Sequence, residues 1–166
     1  MGGGEVDAIT IALPRKVLEV LERRSAAEGR AVEELIGDAV LEQLGVADPE
    51  ARAELYLKLC EKYIREAEEL LAKKEYARAS EKAWGAAAQM VKALAAREGR
   101  ELGSHAVLWE YVDELAERLG GAELRRLWRT ANALHQNFYE DWMPPREVEL
   151  SVRDVKALLE KLRSVA

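Results

Sequence analysis

Apolar and polar residues alternate at the start of the chain. Ile9, Ile11 and Leu13 fall on one face, with Ala8, Thr10 and Ala12 on the other. A period of two predicts a β-strand over residues 8–13. Pro14 ends that pattern and suits the first position of a helix. Val17, Leu18 and Leu21 then form a helical stripe that stops at Gly29. A second stripe, Val32, Leu35, Ile36, Ala39, Val40 and Leu44, is closed by Gly45. One strand and two short helices cannot bury their faces alone, and the strand has an open edge. The remedy expected is a homodimer formed through the residue 8–13 strand.

Beyond this segment the period stays helical. Asp48-Pro49-Glu50 gives an N-cap, a first-turn proline and a first-turn acid. The helix it opens runs to about residue 74 with Leu55, Leu59, Tyr63, Ala67 and Leu70 inward. A second, over about 75–97, places Tyr76, Ala79, Ser80, Ala83, Ala87, Met90, Val91 and Leu94 on one face, and its small residues admit a close neighbour. A third begins near Ser104 and ends at Gly120-Gly121. A fourth covers about 122–142. The last is expected to open at Ser151-Val152-Arg153-Asp154, a capping-box pattern. Short links between long helices predict antiparallel packing. The fold class expected is therefore mainly α: a strand–helix–helix segment over 1–47, with 1–6 flexible, then a bundle of four to five helices over 48–166.

Charge narrows the function. Residues 1–47 carry nine acids and five bases, and residues 48–166 carry 22 acids and 20 bases. Neither half has the basic excess of a protein that grips phosphate backbones broadly. The single cysteine, Cys60, has no partner for a disulfide or a CxxC metal site and reads as a small core residue. No metal or other cofactor is expected. No apolar run is long enough to span a bilayer, and the opening residues lack signal-peptide features, so the expected location is the cytoplasm. Abundant Glu, Arg, Ala and Leu with few Asn and Gln lean toward a thermophilic source.

Two resemblances follow. The run Ile9-Thr10-Ile11-Ala12-Leu13-Pro14-Arg15-Lys16-Val17-Leu18, with Glu28-Gly29-Arg30-Ala31-Val32 and Glu34-Leu35-Ile36, resembles a ribbon-helix-helix domain of the Arc and CopG type. The segment Glu75–Trp84, with Lys92-Ala93-Leu94 and Ser104-His105-Ala106-Val107-Leu108, resembles the HEPN superfamily of helical bundles. More narrowly, the run Ala131-Asn132-Ala133-Leu134-His135-Gln136-Asn137-Phe138-Tyr139-Glu140 is similar to the archaeal PaREP family. The HEPN resemblance implies nucleotide binding, RNA-cleaving toxins or partnership with a nucleotidyltransferase, and so a toxin–antitoxin setting.

HEPN ribonucleases are marked by Arg-x4-6-His, and Arg129-x5-His135 fits that spacing. Histidine can move a 2′-hydroxyl or leaving-group proton near neutrality, and arginine can hold the scissile phosphate. Arg129 and His135 are the catalytic candidates of the resemblance. With 16 arginines among 166 residues the pattern selects poorly: His105 also matches, through Arg100. On a helix Arg129 and His135 lie about 120° apart and about 9 Å along the axis. Trp128, Asn132, His135 and Tyr139 do align, with Arg125, Arg129 and Gln136 beside them. Arg125, Asn132, Gln136 and Tyr139 are therefore ligand-binding candidates along the margin of the core. The competing reading of that margin is a hydrogen-bond network that fixes helix pairing or a dimer interface. Thr130, where the family usually has Asn or Asp, and the absence of tyrosine two residues past His135 both depart from the ribonuclease pattern. His105, after Ser104 at a helix start, reads as capping the preceding loop. The four tryptophans read as core or core edge, and could stack bases only if two were exposed.

The ribbon resemblance implies groove-facing Ala8, Thr10 and Ala12. Only Thr10 could bond a base edge. Arg15, Lys16 and Arg30 are the remaining DNA-binding candidates. Glu33 and Glu34 stand where the second helix should receive a phosphate. DNA is therefore disfavoured as a partner, and dimerisation is the better expectation. Three functions stand open: a dimeric binding or assembly protein with a nucleotide, RNA or nucleotidyltransferase partner; a metal-independent ribonuclease; and a DNA-binding regulator.

Overall fold

A computed structural model describes residues 8–165. The expectation for residues 1–6 lies outside the described residues. Among the described residues seven helices follow in order: α1 Arg15–Glu28, α2 Val32–Gln43, α3 Pro49–Ala72, α4 Tyr76–Arg97, α5 His105–Leu119, α6 Ala122–Glu140 and α7 Pro145–Arg163. None of them is long and apolar enough to cross a membrane.

The predicted starts hold where a cap is chemically explicit. The Asp48 side chain accepts the backbone N–H of Ala51 at 2.8 Å, and Ser104 accepts that of Val107 at 3.2 Å. Gly29, at φ 64°, ends α1 in the left-handed conformation that a non-glycine residue would resist. The last helix starts earlier than expected. Pro145 supplies its first turn, and Ser151 lies inside α7 rather than at its cap. The fixed φ of proline is a stronger start signal than a Ser-x-x-Asp pattern.

α3 and α4 form an antiparallel hairpin, since Ala53 and Tyr56 early in α3 meet Ala93 and Ala96 late in α4. The small residues of α4 permit the approach, and Gly85 brings its backbone against the Tyr63 ring. α6 and α7 close the bundle over α4, and α5 packs against α4 and α6. Trp128, Tyr111, Met90, Leu124, Leu127, Leu134 and Leu158 fill the centre. Cys60 is wholly buried, as its sequence setting suggested, and burial pushes its thiol up to about 12.

The N-terminal segment departs from its expected form. No strand is present among the described residues. Residues 8–13 have no ladder because β pairing needs a second strand, which one chain does not supply. Ile9 is 88% exposed and Ile11 54%. α1 buries no residue and packs only on α2. α2 lies against α3, although the expected domain boundary, 47/48, falls between them. It docks in an unusual way: of the three residues α2 buries, Glu34, Leu35 and Asp38, two are carboxylates.

Candidate functional site

The turn between α1 and α2 hangs over the bundle and roofs two adjoining clefts, of 480 and 610 Å³. Gly29 and Arg30 of the turn bound both, and Trp84, Ala88, Lys92 and His135 form the common floor. Helical spacing explains that floor: Trp84, Ala88 and Lys92 are successive i, i+4 neighbours on α4, with Glu81 one turn earlier. One cleft continues to His105 and Leu108, and the other to Glu81, Lys82 and Tyr139.

Three helices bring the aromatic residues together. The Trp84 and His135 rings stack at 4.8 Å and 27°. His135 and His105 stack at 5.7 Å, and Trp84 meets His105 at 5.5 Å. Trp128 backs Trp84 at 5.1 Å, and Tyr139 stands edge-on to His135 at 5.5 Å. Trp84 and Trp128 are buried and Trp109 half-buried; Trp142, expected at the core or its edge, is 52% exposed but lies outside the clefts, so no tryptophan is the accessible surface there. The exposed rings are His105, His135 at its outer edge and Tyr139, which is 71% exposed.

Hydrogen bonding orients the histidines differently. The Trp109 indole N–H donates to His105 Nε2 at 3.0 Å. Neutral His105 therefore carries its proton on Nδ1. His135 Nδ1 is buried without a hydrogen-bond partner among the described residues, 3.9 Å from the equally unpartnered Glu81 Oε2. That separation is too long for a hydrogen bond. Burial, and then the charge of His105, hold His135 below the usual histidine range. Burial raises the Glu81 carboxyl despite Lys82, and burial with Glu81 raises the Tyr139 phenol. The site favours a neutral imidazole beside a reluctant carboxylate.

The cations at the cleft are already paired. Glu34, its side chain 2% exposed, accepts from Lys92 and Gln89 at 2.8 Å each and from Arg30 at 2.6 Å. Burial works to raise the Glu34 carboxyl, but Lys92, Gln89 and Arg30 more than offset it and hold it below the usual range. Arg30 also pairs with Asp38, which in turn faces Arg52 at 3.3 Å. Burial nevertheless raises Asp38.

Of the site candidates marked out in the sequence, His135, Tyr139 and Arg30 line the clefts. Arg129 stands exposed outside both clefts, with no hydrogen bond or ion pair among the described residues. Arg125 is held by Asp113 and Glu117 of α5. Asn132 is half-buried and Gln136 exposed, and neither borders the clefts. Thr10, Arg15 and Lys16 are exposed, while Arg30 is turned to Glu34 and Asp38. His105 joins the site instead of capping, because Ser104 is itself the cap. Its match to the arginine–histidine spacing was the available signal. Glu81, Gln89 and Lys92 had none, since their partners lie on other helices.

The family model described as the archaeal PaREP1/PaREP8 family matches residues 55–159, and the chain belongs to that family. The match takes in α4, α5 and α6, and with them Glu81, Trp84, Lys92, His105 and His135. No curated protein and no solved structure matches the chain.

Proposed function

We propose that this member of the PaREP1/PaREP8 family is a HEPN-like binding module that holds the base of a nucleotide or of single-stranded RNA, and that it works as a homodimer joined by its N-terminal segment. The observation that carries the reading is the Trp84–His135–His105 stack on the floor of a roofed cleft. Flat π-surfaces accept a planar base without selecting its sequence. His105 Nδ1 and His135 Nε2, the nitrogens not tied to Trp109 or turned toward Glu81, offer one donor and one acceptor to a base edge.

One feature favours binding over cleavage: Arg129 lies outside both clefts and is not placed to hold a scissile phosphate there. The partly exposed aromatic cluster also argues against a purely structural role, because two histidines with free ring nitrogens add little to a core already filled by leucine.

Titrating the full chain with the four ribonucleosides and their 5′-monophosphates, read by quenching of intrinsic tryptophan fluorescence, tests the reading. Stacking contributes about 1–3 kcal/mol per base, so His135→Ala should weaken binding by about fivefold or more. Arg129→Ala should bind as wild type does. An RNA-cleavage assay on the same proteins should show no activity that depends on either residue. Cleavage lost in both variants would replace the binding module with the ribonuclease.

A further inference from the structure

The face of the bundle beneath α2 is a strip of cations, and each meets a carboxylate of α2. Lys62 pairs with Glu33, Lys92 with Glu34 and Arg52 with Asp38. The Tyr63 hydroxyl donates to Glu33 Oε1 at 2.7 Å, and Gln89 supports Glu34. Apolar packing is thinner here than in the bundle: Leu35 is the one apolar residue that α2 buries fully, with Val32, Ile36 and Leu41 half-buried and Leu55 of α3 against Gly37. α2 is therefore held largely by charge, where the helices of the bundle hold one another by leucine and alanine. The strip also continues the aromatic cleft, since Lys92 and Glu33 border the same space as His135 and Tyr139.

We infer that this strip is the phosphate-binding part of the site, and that α2 fills it with its own carboxylates, so that α2 and the phosphate of a bound nucleotide or RNA strand compete for it. The inference rests on the base-stacking reading of the cleft and adds the second half of the ligand. A phosphate offers several charge-assisted acceptors and can replace Glu34 at Lys92 without leaving the cation unpaired. The displaced carboxylates regain water. α1 packs only on α2, so the two leave together, turning about the link between α2 and α3. The roof of the cleft is the same α1–α2 turn, so phosphate binding opens the cleft. The acids that seemed to spoil a phosphate site on α2 thus mark one on the bundle.

The test is a binding comparison on the full chain, with the four ribonucleosides, their 5′-monophosphates and a short single-stranded RNA of mixed sequence as probes. Wild type should bind monophosphates more tightly than nucleosides. Glu33→Gln, which removes a surface carboxylate and leaves the buried pair intact, should tighten monophosphate binding roughly two- to fivefold. Lys62→Gln should weaken it to a similar degree, and each variant should change nucleoside binding less than monophosphate binding. RNA binding that responds more steeply to salt than monophosphate binding points to a strand along the strip, and an equal response points to a single nucleotide; either supports the strip. Monophosphates that bind no better than nucleosides, unmoved by Glu33→Gln, would overturn the strip and leave the cleft reading standing. Failure of nucleosides and monophosphates alike in wild type and in Glu33→Gln would sink both.

Discussion

The rings of His105 and His135 lie 5.7 Å apart and within 27° of parallel, although one opens α5 and the other lies on α6. The charge of His105 at this distance disfavours an imidazolium on His135. His135 also faces Glu81 from α4, and Tyr139 one turn further along its own helix.

The first prediction concerns pH. His135 has a folded pKa below its ordinary value of 6.5, through burial first and His105 second. The unfolded chain therefore binds this proton more readily than the folded one. Its contribution to stability is fully present above about pH 6.5 and is lost as pH falls through the lowered value. Glu81 has the opposite sign: its raised pKa favours the folded state below 4.5 and loses that advantage as pH rises. Thermal melting at pH 7.5 and 5.5 should show a larger drop for wild type than for His135→Gln. Equal drops would mean that His135 is not held neutral by its surroundings.

The second prediction concerns Glu34. Its carboxylate satisfies Lys92, whose side chain is 10% exposed, and Arg30. Glu34→Ala leaves buried cations uncompensated and should cost about 3–5 kcal/mol. Adding Lys92→Met to that variant should recover part of the loss. The more exposed Glu33–Lys62 pair should be worth no more than about 1 kcal/mol. Urea denaturation of the four proteins checks the order, and a Glu33→Ala loss equal to that of Glu34→Ala would contradict it.

The bundle was legible in the sequence because its signals are local. Apolar stripes at helical spacing, Asp48, Ser104 and the glycines at helix ends fix α1 to α6 within a residue or two. The site was half legible. His135 and Tyr139 share one helix face, so their alignment can be computed from spacing alone. His105 comes from another helix, and only the packing of α5 against α6 brings it there. Glu33 and Glu34 were visible as acids at a helix start, but their reason is Lys62 and Lys92, 29 and 58 residues further along the chain. No local pattern encodes such a pair.

The third prediction concerns Asn137, which ordinary helical patterning passes over. It is wholly buried on α6, donates through Nδ2 to Ser80 Oγ at 3.0 Å and accepts the backbone N–H of Met143 at 2.7 Å. The second bond turns the chain after α6, where Asp141 takes a left-handed conformation at φ 47°. Asn137→Leu strands both partners in the core and should cost about 1–3 kcal/mol. Asn137→Asp keeps the acceptor for Met143, so it should fare better at low pH, where its carboxyl is protonated and can also donate to Ser80. Thermal melts of both variants at neutral and acid pH test this; identical behaviour would show that the hydrogen bonds are dispensable.

The last prediction concerns the N-terminal segment. Ile9 and Ile11 share one face of the alternating stretch, and both are exposed. Val17, Leu18 and Val20 of α1, Val40 of α2 and Leu44 just after it are exposed as well. A single chain thus leaves several large aliphatic side chains of this segment in water, which is what an interaction face does. A second copy of residues 8–13, paired antiparallel, would satisfy the edge and cover the face. The full chain should therefore sediment as a dimer at micromolar concentration. Ile9→Asp with Ile11→Asp should give a monomer, because two charges would enter a paired apolar face. The far-ultraviolet helical signal should stay nearly unchanged, since no helix includes residues 8–13. A double variant that remains dimeric would place the interface elsewhere, and a monomeric wild type would remove this part of the proposed function.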